Sequence, residues 1–278
     1  MNEAVIGVRG EADRLLVDGL RELRPVFERL GDNALVVGGL MARLWLFAEP
    51  IEIEPRATGD VDLGVDRKGL RIGGDRRIVA PLLEGVGFEP RAGEEQFRFV
   101  KDLDGGAFPV DLGVAPGSSR NEPPLLEKGI ETIEIPGLAY ALERRTTMHA
   151  KFVEGGAAEE FELPFPELDA AFVLKGALCK KGVRNRADRR QRDTVDTVCL
   201  AAACAGNEGS MDALAASRKR ADVKAAIGWV RDNFAAADSA AARRVQQHFE
   251  EESGTSAGGE WAAGVVARFS GLLEERGA

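Results

Sequence analysis

Apolar positions change period several times along the first half of the chain. Residues 14–30, RLLVDGLRELRPVFERL, place Leu16, Leu20, Leu23, Phe27 and Leu30 at helical spacing, with Pro25 expected to kink or split the helix. Residues 34–37, ALVV, are a short unbroken apolar run that predicts a buried strand. Gly38-Gly39 ends it, and 40–47 predict a helix with Leu40, Met41, Leu44 and Trp45 inward. Two prolines make 49–59 a connection. A period of two then appears at 60–65: Val61, Leu63 and Val65 lie on one face, Asp60 and Asp62 on the other. A helix is expected near 77–86 and a strand at 96–101. Asp104-Gly105-Gly106 is a hairpin turn signal, and 108–114, FPVDLGV, is the return strand. Short runs at 133–135, 151–153 and 161–163 could add edge strands.

From Pro166 the pattern turns helical, over 167–181, 188–205, 222–234, 239–252 and 260–275. Pro164 and Pro166 mark the expected boundary. The fold class is α+β, with a mixed sheet and flanking helices over 1–165 and a helical domain over 166–278. There is no internal repeat of fixed period, and 253–260, SGTSAGGE, reads as a connector.

The 278 residues are 44% hydrophobic and 30% charged, enough apolar material for a globular core. No apolar stretch reaches membrane-spanning length and the first residues show no secretory pattern, so a cytoplasmic protein without membrane contact is expected. Cys179, Cys199 and Cys204 cannot all pair and have no C-x-x-C spacing, which predicts reduced, buried thiols. Two histidines leave little material for a His-based zinc site or a Ser-His-Asp triad. The net charge of −9 argues against binding nucleic acid over the whole surface, but 180–192, KKGVRNRADRRQR, hold seven basic residues and one acid.

Strand alternation sets Asp60 and Asp62 side by side, roughly 7 Å apart. Two carboxylates so placed repel each other unless a cation lies between them. Oxygen ligands suit Mg²⁺, which takes one or two carboxylates together with substrate phosphates. Asp111 stands in the return strand between Val110 and Leu112, as Asp62 stands between Val61 and Leu63. Pairing of these strands would gather three carboxylates, enough for two metal ions and in-line displacement at a nucleoside triphosphate. Gly38-Gly39, at a strand end before a helix, would present backbone N–H groups to a phosphate. In the helical half, Leu168, Ala171, Phe172, Lys175, Leu178 and Cys179 form one stripe, so Lys175 sits amid an apolar face. Asp193 and Asp196 share a face of the next helix. Taken singly, each feature has a plain structural explanation: a packing turn, a pair of solvated acids, a snorkelling lysine, acids near a helix start, a solvated basic turn.

Taken in order, they resemble the nucleotidyltransferase superfamily related to DNA polymerase beta, and GGLMARLW…RATGDVDLGV is most similar to its AbiEii/AbiGii toxin-type branch. Gly38, Gly39, Arg56, Thr58, Asp60 and Asp62 match that branch as they stand, and LKGAL followed by Arg184, Arg186 and Arg192-Asp193-Thr194-Val195-Asp196 matches its second half. The resemblance covers roughly 34–203, and Gly176, inside LKGAL, departs from it. It implies Asp60, Asp62 and Asp111 as Mg²⁺ ligands, the last near the attacking hydroxyl. Gly38, Gly39, Arg56, Thr58, Lys175 and Asp196 would hold the NTP, and Asp193 would position Lys175 or the acceptor. Lys180, Lys181, Arg184 and Arg186 would meet an RNA acceptor, tRNA in the implied role of toxin in a toxin–antitoxin or phage-defence pair, with a cognate antitoxin protein as partner. A small-molecule acceptor of the aminoglycoside type, or an inactive nucleotide- or partner-binding member of the fold, are the alternatives.

Overall fold

The apolar stripes and alternations of the sequence become the buried faces of two units in a computed structural model, which describes residues 2–49, 51, 53, 55–66, 79–91, 97–117, 125–127, 130–181, 187–253 and 257–276. One unit comprises Met1–Ala48 and Pro55–Pro166; the other comprises Glu49–Glu54 and Glu167–Ala278. The protein is of mixed α+β class.

The first unit runs β1 (Asn2–Gly7), α1 (Glu11–Leu30), β2 (Ala34–Val37), α2 (Gly38–Ala48), β3 (Val61–Val65), α3 (Val79–Gly85), β4 (Glu89–Pro90), β5 (Arg98–Leu103) and β6 (Gly106–Val114). Then follow β7 (Leu125–Glu127), β8 (Ile130–Glu131), β9 (Ile133–Glu134), α4 (Leu138–Glu143), β10 (Arg145–Glu154) and β11 (Ala157–Pro166). The stripe of α1 is buried along its length. The helix continues through Pro25 without the expected split. One missing N–H bond is outweighed by the burial of Leu23, Val26, Phe27 and Leu30 around it.

Instead of one mixed sheet there are three among the described residues, the smallest being the β7–β8 pair. The largest has the order β2-β3-β6-β5-β4, with β9 beside the end of β6; the second is β1-β10-β11. The short runs expected at 151–153 and 161–163 are parts of the ten-residue strands of the β10–β11 hairpin, whereas 133–135 supplies β9. Met148, Ala150 and Phe152 alternate inward on one arm, Phe161, Leu163 and Phe165 on the other. Gly155 and Gly156, at φ 57° and 89°, make the two-residue turn, a conformation that two consecutive glycines adopt without strain. In β1 only Ala4 and Ile6 are buried hydrophobics, too few for its period to stand out in the sequence.

The centre of the larger sheet is a pair of strands with the same five residues. VDLGV occurs in β3 and again in β6, and the two copies lie parallel with Val61 on Val110, Asp62 on Asp111, Leu63 on Leu112, Gly64 on Gly113 and Val65 on Val114. Leu63 and Leu112 are fully buried on one face. On the opposite face, Gly64 and Gly113 open a slot. A β-carbon at Gly64 would lie 2.5 Å from Leu138 Cδ1, and one at Gly113 would collide with Ile135. The β9–α4 segment therefore covers this end of the face and leaves the aspartates at its other end. Arg43 of α2 pairs with Asp13 in the first turn of α1 at 2.7 Å, both side chains almost fully buried, and the Arg9 amide donates to the same carboxylate at 2.8 Å.

The second unit contains α5 (Leu168–Lys181), α6 (Ala187–Gly206), α7 (Glu208–Ser217), α8 (Ala221–Asn233), α9 (Ala240–Ser253) and α10 (Gly258–Glu275). Glu49 joins it through a hydrogen bond from Asn207 Nδ2 to Glu49 Oε1 at 2.9 Å, while Asn207 Oδ1 caps α7 by accepting from the Ser210 amide at 3.0 Å. The sequence reading did not include α7, whose buried apolar residues are Met211 and Leu214 alone. Gly176, out of place by helix propensity, has a packing reason: a β-carbon there would lie 2.7 Å from Ala226 Cβ of α8. Among the described residues no helix is long and apolar enough to cross a membrane.

Two outcomes are expected. Gly176→Ala would stabilise an open helix by about 1 kcal/mol, but here it should destabilise by about 1–3 kcal/mol through overpacking against Ala226, read from urea-unfolding midpoints. For Asp13, burial pushes the carboxyl up, but hydrogen bonds from Arg43 and the Arg9 amide, with both arginine charges, outweigh it and hold the pKa below its ordinary value. A depressed carboxyl contributes stability above its unfolded pKa of about 3.9 and loses it as the pH falls through the folded value. Stability should thus fall more steeply from pH 5 to pH 3 in the wild type than in Asp13→Asn, measured by the same midpoints.

Candidate functional site

The register that stacks valine on valine and leucine on leucine also sets Asp62 beside Asp111, on strands about 4.8 Å apart. The neighbouring β5 places Arg98 opposite Asp111. Asp62, Asp111 and Arg98 thus form one row across three strands, on the face opposite Leu63 and Leu112. Arg98 grips Asp111 with both arms of its fork, Nε to Oδ1 and Nη2 to Oδ2, each at 2.7 Å. This two-pronged, charge-assisted geometry is the strong form of an arginine–carboxylate pair. Its side chains are 19% and 7% exposed, so the pair is shielded on the carboxylate side and reachable on the guanidinium side.

Asp62, on the other side of Asp111, packs against Gly38 at the turn from β2 into α2. Gly38 has φ 72°, and a β-carbon there would collide with the Asp62 carboxylate. A side chain at 38 is therefore barred twice, by conformation and by space. A β-carbon on Gly39 would lie 2.9 Å from Thr58 Oγ1 and 3.0 Å from Arg56 Nη2. Thr58, itself buried, donates its hydroxyl proton to Asp60 Oδ1 at 2.7 Å. The structure therefore brings Gly38, Gly39, Arg56, Thr58, Asp60 and Asp62 together around the first turn of α2, with Asp111 next to Asp62.

Among the described residues, no three His, Cys, Asp or Glu side chains form a metal-holding group. Asp60 and Asp62, half-buried oxygen donors beside a bare glycine turn, suit one hard cation completed by substrate oxygens. Asp111 is engaged differently, since both its oxygens accept from Arg98. Sequence reasoning missed Arg98. The signal lay in the hairpin: the turn at Asp104-Gly105 sets Leu103 opposite Gly106, and counting back from it puts Arg98 opposite Asp111.

In the second unit, Lys175 lies between α5 and α6. Its Nζ is 3.0 Å from Asp193 Oδ1 and 2.8 Å from Asp196 Oδ2. At 2% exposure this lysine does not snorkel. Burial of its charge requires partners, and α6 provides two from positions one turn apart. Thr197 donates to the Asp193 carbonyl at 2.6 Å and contacts Cys179 Sγ at 3.5 Å. Burial pushes the Cys179 thiol up to about 12, and it raises Cys199 and Cys204 as well. All three cysteines are free. Lys180 is exposed at the end of α5. The side chain of Lys181, and Arg184 and Arg186 entirely, lie outside the described residues.

Comparison of the chain with protein-family models, curated proteins and solved structures found no match.

Lys175→Met should leave two carboxylates buried without this cation and cost about 3–5 kcal/mol. Adding Asp193→Asn and Asp196→Asn should restore most of that loss, as read from unfolding midpoints of the single and triple variants.

Proposed function

We propose that the protein is a nucleotidyltransferase of the DNA polymerase beta-like superfamily, of the AbiEii/AbiGii toxin type. It would transfer a nucleoside monophosphate from an NTP to an acceptor hydroxyl. The observation that carries this reading is the convergence of Arg56, Thr58, Asp60 and Asp62 on the Gly38-Gly39 turn. A bare helix start suits phosphate oxygens, and two carboxylates beside it suit the cation that accompanies them.

The reaction so proposed is a displacement at phosphorus. The acceptor oxygen bonds to the α-phosphorus, the bond from that phosphorus to the α,β-bridging oxygen breaks, and pyrophosphate leaves with the electron pair. The backbone of Gly38 and Gly39 takes the phosphates, with Arg56 at their side, and Thr58 orients Asp60. Asp60 and Asp62 would hold Mg²⁺, which when bound neutralises the phosphate oxygens and the leaving group. Asp111 would share a metal and orient the acceptor hydroxyl, whose proton leaves as the new bond forms and is taken up by this carboxylate. The resemblance gives Lys175, kept in place by Asp193, and Asp196 to the triphosphate, and it makes RNA, tRNA in a toxin–antitoxin setting, the acceptor. The basic run at 180–192 supports an anionic acceptor. An aminoglycoside-type acceptor uses the same chemistry.

A second reading, nucleotide binding without turnover, is favoured by one observation. Asp111 is held by Arg98 on both oxygens, which is a resting arrangement for a carboxylate that should face a hydroxyl.

Incubation with each α-³²P-labelled NTP, Mg²⁺ and total bacterial RNA separates these readings. Label in RNA is the expected result; label in a small molecule points to the other acceptor; no label with any acceptor points to the binder. Asp60→Asn and Asp62→Asn should each lower transfer by about 100-fold or more, with melting temperatures at or above that of the wild type because like-charge repulsion is relieved.

A further inference from the structure

We propose that the cleft between the second half of α1 and the β10–β11 hairpin is a binding site for a small organic cation with an aromatic or apolar body. It shares no residue with the Gly38 site, and the proposal does not depend on the nucleotidyltransferase reading. The cleft has a volume of about 460 Å³, inside the range of about 300–1,000 Å³ usual for small-molecule sites. Phe27, Phe161 and Leu163, core residues of α1 and β11, form its floor. Helix and hairpin are tied together at both ends. Arg21 grips Glu159 with two hydrogen bonds at one end, and Arg145 Nη1 donates to the Asp32 carbonyl at 2.7 Å at the other. A helix or strand of another protein has no passage through a cleft crossed at both ends, which leaves a small molecule as the occupant.

The charge on the walls selects the ligand. Glu28, Asp32, Glu160 and Glu162 line the cleft against a single base, Arg24. Two of these acids are neutralised by residues that do not line it: Lys151 pairs with Glu160 at 2.9 Å and Arg145 with Asp32 at 3.3 Å. Glu28, on the helix, has no ion pair among the described residues, and Glu162, on the strand, has His149 Nδ1 at 3.8 Å. An anion entering here meets four carboxylates; a cation meets two that still have charge to share. The floor already holds a cation of the protein's own. The Arg24 guanidinium lies over the Phe161 ring, 5.2 Å from its centre, within reach of the ring's negative face. It is kept there by one hydrogen bond, to the Glu160 carbonyl at 3.2 Å, and by no carboxylate among the described residues. Arg24 is exposed, so its long stem can swing into water. A ligand ammonium then takes its place on the ring, the apolar body covers Phe27 and Leu163, and Glu28 and Glu162 supply the countercharge.

Phenethylammonium tests the site, with 2-phenylethanol and phenylacetate as its neutral and anionic counterparts of similar size. Spectra of ¹³C-labelled phenylalanine rings in the full chain follow the titration, and the Phe161 signal is the one missing from Phe161→Leu. Phenethylammonium should move that signal to saturation, and the two counterparts should need about ten times the concentration or more. Glu28→Gln/Glu162→Gln should weaken binding about fivefold. Arg24→Gln, which frees the ring face, should strengthen it about threefold. All three positions are exposed, and the ring spectrum before titration reports whether each variant is folded. A Phe161 signal that stays in place, or an equal response to the three compounds, would overturn the site. Unchanged affinity in both the glutamate and the arginine variants would overturn the selection by charge. A shift with the peptide Lys-Phe-Lys-Phe amide and none with phenethylammonium would make the occupant a basic protein segment and overturn the small-molecule assignment.

Discussion

The parallel, in-register pairing of two VDLGV strands is the constraint from which the first unit's chemistry follows. Valines and leucines fix the register, since a slip of either strand by one residue would turn its leucine out of the core and bury its aspartate there. A slip of two would take Gly64 and Gly113 away from each other, although together they admit Leu138 and Ile135. Apolar packing thus imposes an arrangement that electrostatics alone would reject: two carboxylates side by side on one face. Whatever neutralises them has to be found on that face. The row itself offers Arg98, bound to both oxygens of Asp111.

The turn is held from behind. Its glycines begin α2, and α2 is fastened to the first turn of α1 by Arg43 and Asp13, a pair almost wholly out of water. Burying two charges is costly, and here the Arg9 amide adds a hydrogen bond to the carboxylate. The pair has no part in the candidate chemistry. Its effect is positional: with α2 anchored, Gly38 stays against Asp62 at a spacing too close for any other residue.

Much of this was legible in the sequence. Alternation around Asp62 and Asp111 named their strands, the glycine pair marked the turn, and the stripe 168–179 singled out Lys175 as a lysine in an apolar face. What escaped was long-range or weakly patterned. Arg98 looks like an ordinary exposed arginine until the hairpin is counted from its turn, and its meaning depends on a residue thirteen positions away. The Asp13–Arg43 pair joins two helices whose stripes say nothing of charge. The sequence reading left α7 out because Met211 and Leu214 make a face too narrow to register as periodic. Pro25 was expected to break a helix that packing keeps whole, a case of tertiary burial overriding local preference.

The two charged clusters differ in a way that bears on where chemistry can occur. Lys175, Asp193 and Asp196 are all at 7% exposure or less, and the three side chains carry one more negative charge than positive. An ammonium so enclosed stabilises its own helices, and any anion it meets has to be reached through movement of an aspartate. The row of Asp62, Asp111 and Arg98 is less enclosed, with Asp62 half-buried and the Arg98 side chain 19% exposed. Its ion pair joins groups that each have an alternative partner of the same chemistry, a metal for the carboxylate and a phosphate for the arginine. Under the proposed function, the sheet face beside Gly38 is where the charges of the substrate would be received.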